Sequence, residues 1–284
     1  MIITNANIIL EDKIIRGDVY VEGDKIVKIK RTNKINKKAD YNLEGNYLAP
    51  GFVDIHNHGG YGYDYMDNTE EAFKQILRFH ADNGITSAIA STVTAPPETT
   101  IETCNVARKI KGKKGAHAKL LGVHLEGPYL SMQNKGAHNP DLIRVPATDD
   151  YGYILENADI IKHITISPEL DGVQEMIPTL KELGIVVGIG HSGATYDQAM
   201  SAIAQGATVG THVGNAMRLF HQHEPAIFGA IMESDTYCET ICDGRHLVPG
   251  SVRMYAKCKG LDRIVAITDS IMAAGLPDGN YHLG

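Results

Sequence analysis

Tryptophan is absent from this chain of 284 residues and phenylalanine occurs only five times. No apolar run approaches the ~20 residues that a membrane-spanning helix needs. The opening residues, MIITNANIIL, lack a basic segment followed by a long apolar stretch, so no secretory signal is read there. Cysteine is scarce as well: Cys104, Cys238, Cys242 and Cys258 include no CxxC pair, which excludes a thiolate metal knot and favours reduced thiols. The chain therefore reads as cytoplasmic. Positive charge is short, with 27 Lys and Arg against 34 Asp and Glu, a formal charge of −7, and one dense basic stretch from Lys28 to Lys38. Nucleic-acid binding lacks electrostatic support, and no membrane partner is expected. What remains is an ordinary globular composition, 43% hydrophobic and 21% charged, long enough for one large or two modest domains.

Residues 1 to 48 alternate short β-rich runs with turn residues (IITNANIIL, DVYVEG, KIVKIK, YNLEGNYLAP) and read as a small sheet with too few strands to cover its own edges. From Pro50 the texture changes to apolar runs of four to eight residues, each followed by a helical stretch, the pattern of βα units around a parallel sheet. Eight runs are predicted as strands: 52–56, 86–92, 119–127, 163–169, 185–191, 207–212, 238–244 and 263–269. Helical periodicity is clear at 69–83, 98–111, 173–183 and 196–205. An eight-stranded (β/α)₈ barrel over 49–284 is the expected closure. About forty residues, 128 to 162, separate the third and fourth strands, and a connection that long is usually functional. Residues after Asp269 show no helical pattern, so the barrel is expected to be truncated after its eighth strand.

Thirteen histidines are the surplus against these shortages. In such a barrel the chemistry sits at the C-terminal ends of the strands. There the chain places Asp54-Ile55-His56-Asn57-His58, His124-Leu125-Glu126, His191, His212, Asp243 and Asp269. His56 and His58, two apart on a strand, project to one face and can chelate a single cation. Imidazoles with one carboxylate suit zinc or iron at an open catalytic site. A lone histidine is more often a packing or surface residue than a ligand; the coincidence of several with strand ends is the signal. Asp269 follows the run RIVAIT, where a buried carboxylate needs a partner or a task, and a general base competes with a helix cap for its role. Asp243, before Gly-Arg-His, reads equally well as a turn carboxylate. His80, His117, His163 and His282 lie off the rim and are assigned to packing or the surface. His124 shares a face with Glu126 and can support it indirectly.

The segments PGFVDIHNHGG, HLEGPYLS, KGAHNP, GHSGATYDQA, THVGNAM, ICDGRH and ITDS come in one order along the chain. Together they closely resemble the N-acetylglucosamine-6-phosphate deacetylases of the amidohydrolase superfamily. The resemblance implies a metal-dependent barrel with a small β-sandwich built from both chain ends, its N-terminal part at 1–48 and its C-terminal part absent here. By motif, Glu126, His191 and His212 correspond to the primary metal ligands and Asp269 to the catalytic base. Family members with His at the positions of His56 and His58 hold two metals, so a pair of divalent ions, zinc or iron, bridged by Glu126 is expected. His138 corresponds to the residue that polarises the acetyl carbonyl, and Asn215, Ala216 and His246 to sugar-phosphate contacts. One departure stands out: His223 precedes Glu224-Pro225 where the family commonly has Arg. Histidine is only partly protonated at neutral pH and cannot grip phosphate bidentately, so weaker phosphate binding is expected, with Arg218 as the nearest substitute cation. The resemblance also implies a homodimer.

The expected reaction is hydrolysis of the acetamide of N-acetylglucosamine 6-phosphate. Related N-acetylhexosamines, N-acetylgalactosamine 6-phosphate or an unphosphorylated sugar, are the alternatives, together with an inactive fragment. A cyclic-amide hydrolase bridged by a modified lysine is disfavoured because the fourth strand ends ISPE. An isomerase or aldolase is disfavoured because no lysine stands at a strand end.

Overall fold

Every apolar run expected after Pro50 forms a strand in the computed structural model, which describes residues 1–115, 117–149 and 151–284. The chain divides into two units, residues 1–52 and 53–284. In the first, β1 (Ile2–Ile9) pairs antiparallel with β2 (Ile14–Glu22), and β2 with β3 (Lys25–Arg31). Tyr41–Asn42 and Tyr47–Leu48 add short parallel pairings to β1. Alternation along β1 and β2 buries Ala6, Ile8 and Val19 on one face, flanked by Ile3, Ile15, Val21 and Leu48. β3 is exposed along its whole length, Ile26, Val27 and Ile29 included.

The eight parallel strands are β4 (Phe52–Asp54), β5 (Ile85–Thr92), β6 (Lys119–Glu126), β7 (Ile161–Ile166), β8 (Val186–Ile189), β9 (Ala207–Gly210), β10 (Tyr237–Ile241) and β11 (Ile264–Ile267), paired in sequence order from β4 to β11. This is the sheet of a TIM-like barrel. The two outer strands meet side chain to backbone as well as backbone to backbone. The Asp54 carboxylate accepts from the amide and the hydroxyl of Thr268, and the Asp269 amide donates to the His56 carbonyl. Burial pushes the Asp54 carboxyl up to about 6, against the hydrogen bonds from Thr268 that lower it.

The helices follow the strands: α1 (Glu70–Asp82), α2 (Pro97–Ile110), α3 (Gly152–Glu156), α4 (Val173–Glu182), α5 (Tyr196–Gln205), α6 (Ala226–Glu233) and α7 (Pro249–Lys259). Local sequence explains their starts. Thr69 caps α1 by accepting from the Ala72 amide, and Thr195 with Gln198 closes a capping box on α5. The apolar faces pack on the outside of the sheet, burying Phe73, Ile76 and Leu77 of α1 and Met176, Ile177 and Leu180 of α4 completely. Each such side chain contributes roughly 1.5–3 kcal/mol. Residues 268–284 carry no helix, and no described helix is long and apolar enough to cross a membrane. The long connection after β6 holds short 3₁₀ turns at Met132–Asn134 and Pro140–Leu142 before α3, and it carries His138.

Candidate metal centre and active site

The first strand stops two residues before the first histidine. Its pairing ends at Asp54, whose carboxylate accepts the His56 amide at 3.3 Å, so the backbone turns and His56-Asn57-His58 lies beyond the strand rather than on it. Asn57 anchors this segment. Its amide donates to Ser91 Oγ, its carbonyl accepts from the Ser91 amide, and its side chain joins the Ile89 carbonyl to His80 Nε2 at 2.7 Å. His80 is fully buried on α1 with its Nδ1 unpartnered, and burial pushes its pKa down to about 4.

Glu126, the last residue of β6, is the centre of the site. Its Oε1 lies 2.9 Å from His212 Nε2, 3.0 Å from His191 Nε2 and 3.4 Å from His56 Nε2, and its Oε2 lies 3.2 Å from His58 Nε2 and 3.3 Å from His138 Nε2. Asp269, just past β11, brings Oδ1 to 3.3 Å from His58 and 3.6 Å from His56. His191, His212 and Asp269 all have left-handed backbones, with φ of 48°, 27° and 49°. Non-glycine residues rarely hold that conformation, and where they do it commonly marks a functional site. Gly136 lets the long loop approach: a Cβ there would come within 3.1 Å of the His191 ring, and its own φ is +56°.

Two groups have the donor set of a cation site, His56, His58 and Glu126, and Glu126, His191 and His212, with the ligand atoms of each group within 4.8 Å of one another. Proton accounting tests the fit. His191 Nδ1 donates to the Asn134 carbonyl, and His56 Nδ1 faces Glu239 Oε2, so each neutral ring presents a bare Nε2 lone pair toward Glu126. His56 Nε2 has no hydrogen-bond partner, and the Nε2 atoms of His191 and His212 stand 3.0 Å apart. Lone pairs so gathered around carboxylate oxygens need positive charge between them. Protein groups alone supply it as protons. Burial drives the His58 imidazole toward neutrality, yet Asp269 and Glu126 hold its pKa at about 9, and His56 is likewise raised against its burial by the same carboxylates. Burial raises the Glu126 and Asp269 carboxyls, but the surrounding imidazoles hold both well below the ordinary range. The residues fit a binuclear divalent-metal site with Glu126 shared between the two clusters.

His138 has a fixed tautomer. Its Nδ1 accepts from the Thr94 amide at 3.1 Å, so the neutral ring carries its proton on Nε2, on the side of Glu126. A cavity of about 400 Å³ opens above the centre, lined by His58, Glu126, His138, His191, His212 and Asp269 and by Asn215, Ala216 and His246 farther out, with Ile241, Ile271 and Leu283 as apolar wall. That volume suits a small-molecule ligand. The structure thus brings together ten of the eleven candidate residues, His56 lying behind the wall with its ring fully buried. His223 is apart from them, on an exposed loop outside the cavity lining with its Nε2 against the Gln222 side chain. Asp243 is a turn carboxylate that accepts from the Arg245 and His246 amides and from the His246 ring.

Glu239 is the residue that the sequence reading passes over. It lies fully buried on β10, 3.1 Å from His56 Nδ1. The available signal was a lone charged residue in a strand, at even spacing from Ile241. His163 also turns out to be interior, stacked on His124 with centroids 4.1 Å apart.

Comparison with known proteins agrees with this geometry. The model of the amidohydrolase family matches residues 47–278. The N-acetylglucosamine-6-phosphate deacetylase of Haemophilus influenzae is 37% identical over 238 residues, 83% of this chain and 61% of that protein. The N-acetylgalactosamine-6-phosphate deacetylase of Escherichia coli O157:H7 is 35% identical over 238 residues, 83% of this chain and 63% of that protein. The chain thus spans about three fifths of the length of these relatives. Among solved structures, a mutant N-acetyl-D-glucosamine-6-phosphate deacetylase from Mycobacterium smegmatis in complex with N-acetyl-D-glucosamine-6-phosphate superposes with a TM-score of 0.90 at 35% identity, covering 100% of this chain and 74% of that one.

Proposed function

The chain belongs to the amidohydrolase family, and from that premise we propose that it hydrolyses the acetamide of an N-acetylhexosamine 6-phosphate, releasing acetate and the hexosamine phosphate. The observation that carries the reading is Glu126 ringed by the Nε2 atoms of His56, His58, His191 and His212, with His138 beside them and Asp269 on the same rim. His56, His58, Glu126, His191 and His212 are the proposed ligands of two divalent cations, zinc or iron. Bound there, the cations supply Lewis acidity, polarising an amide carbonyl and acidifying water.

The remaining steps fall to protein groups. Asp269, held ionised beside the imidazoles, takes the proton of the attacking water and returns it to the amine nitrogen as the C–N bond breaks. His138, with its proton on Nε2, donates to the acetyl oxygen and stabilises the charge that develops on it. Asn215, Ala216 and His246 bind the sugar phosphate at the outer part of the cavity. His223 stands outside the lining of that cavity, which accords with a weakened phosphate grip. Because relatives named for the glucosamine and for the galactosamine epimer match this chain about equally, the epimer is left to experiment.

In the same reading residues 1–48 form part of a small β-sandwich and 49–284 the catalytic barrel. A cytoplasmic setting suits four free thiols, two of them buried. A homodimer is supported by exposed Leu219 and Phe220 beside the apolar groove formed by Phe228, Met232 and Met254. The test is metal content by plasma emission, paired with acetate release from N-acetylglucosamine 6-phosphate, its galactosamine epimer and the unphosphorylated sugars. Near two ions per chain with phosphate-dependent release is the expected result. Metal without release from any of them would remove the proposed substrate class, and no metal would remove the centre.

A further inference from the structure

Beneath the proposed ligands lies a layer of polar side chains sealed inside the barrel: Ser91, His124, His163, Thr165, Thr211 and Glu239. Most are paired within the layer. His124 bonds Ser91 Oγ and Thr165 Oγ1 at 2.9 Å each, and Thr165 bonds Thr211 at 2.8 Å. Room is reserved for it, since a Cβ on Gly188 would come within 2.6 Å of His163 Nε2 and 2.8 Å of Thr211 Oγ1.

The exceptions are His163, whose two ring nitrogens lack hydrogen-bond partners among the described residues, and Glu239. Glu239 Oε1 has no hydrogen-bond partner, and the nearest imidazole nitrogen, His163 Nδ1, is 3.9 Å away, too far for a hydrogen bond. Its Oε2 serves twice, accepting from His56 Nδ1 at 3.1 Å and from the His212 amide at 3.2 Å. A side chain that only filled this volume would be more stable as an apolar one, because a buried carboxylate with an unmatched oxygen is costly. Glu239 is the carboxylate of this layer, and it touches a candidate ligand of each cluster.

We propose that Glu239 is a positioning residue for the metal centre, its single oxygen fixing the ring of His56 and the backbone of His212. The inference rests on the binuclear reading above and adds to it the group that sets ligand orientation. Held by Glu239, His56 keeps its proton on Nδ1 and turns Nε2 toward Glu126 and Asp269. His124, edge-on to the His56 ring at 4.5 Å, walls it in without fixing which nitrogen is protonated. Without the carboxylate the ring is free to carry its proton on Nε2, where it blocks coordination.

The test compares the full chain with Glu239→Gln and Glu239→Ala by zinc titration against a chromophoric chelator. Loss of an outer partner of a ligating histidine weakens metal binding by about 10- to 100-fold. The glutamine variant, which keeps an acceptor but loses the charge, is expected near the lower end for the weaker ion, and the alanine variant near the upper end. The second readout needs no metal: the native chain should show a low-field imidazole N–H proton, assigned by its loss in His56→Gln, and the glutamine and alanine variants should lose or shift it upfield. Folded variants that bind zinc within twofold of native and keep that proton unchanged would overturn the proposal. If alanine does not fold, the isosteric glutamine variant decides alone. A native chain that binds no zinc would defeat the binuclear reading, while the low-field proton still judges Glu239.

Discussion

Acidification should destabilise the fold through His80, which bonds the side chain of Asn57 between two proposed ligands and is not itself a ligand. Its ring is fully buried on α1, Nε2 donates to Asn57, and Nδ1 faces no acceptor, so protonation would leave a buried N–H unpaired. The folded pKa is lowered to about 4 by burial, whereas the unfolded chain titrates near the ordinary 6.5. Above 6.5 both states are neutral and the stability is fully present. As pH falls from 6.5 toward 4 the unfolded state binds the proton first, and stability is lost across that window. The difference of about 2.5 units corresponds to about 3 kcal/mol at the acid limit, and roughly 2 kcal/mol is lost by pH 5. For a chain of this size that amounts to a fall in Tm of several degrees. Other buried histidines add to the same slope, His163 with its pKa pushed down to about 4 among them. The decisive quantity is therefore the difference between native protein and His80→Gln, whose amide can still donate to Asn57. Urea unfolding at pH 8 and pH 5 should give a pH-dependent loss that is smaller by about 2 kcal/mol in the variant. An identical loss in both proteins would refute the assignment of this slope to His80.

Asp269→Asn should keep both ions by plasma emission while acetate release falls by about 10²- to 10⁴-fold; near-normal turnover would remove Asp269 as the base. His138→Gln should lower kcat by about 10²- to 10³-fold with a small change in KM, and a pure KM effect would count against oxyanion stabilisation. Dialysis against a chelator should lower Tm and added zinc should restore it, by about 2.7 kcal/mol at a free concentration one hundred times Kd; a Tm indifferent to both treatments would contradict a metal bound by the folded state.

Much of this architecture follows from one-dimensional pattern. Apolar runs such as KLLGVHLE and IVVGIGH are too short for helices and too continuous for half-exposed strands, which leaves buried parallel strands as their only stable use. Histidine and carboxylate at the ends of those runs follow directly, because the end of a parallel strand in a barrel is where a polar side chain meets solvent and ligand. The sequence by itself also determines the start of α1 at Thr69 and of α5 at Thr195, since capping is local chemistry.

Only the tertiary structure decided what depends on three-dimensional convergence. Glu126 becomes a centre because five rings from four segments reach its two oxygens, a fact with no trace in the spacing of His56, His138, His191 and His212. The tautomer of His138 is set by the Thr94 amide, forty-four residues away in the chain. Glu239 reads in sequence as an odd charge within a strand, and becomes a partner of His56 only once β4 and β10 are curved into one wall. The position of His223 outside the cavity is likewise a property of its loop and not of its residue type. Pattern fixes which face of a strand is buried, since that depends on neighbours two residues apart. Which buried groups meet is decided by closure of the sheet, since that depends on every strand at once.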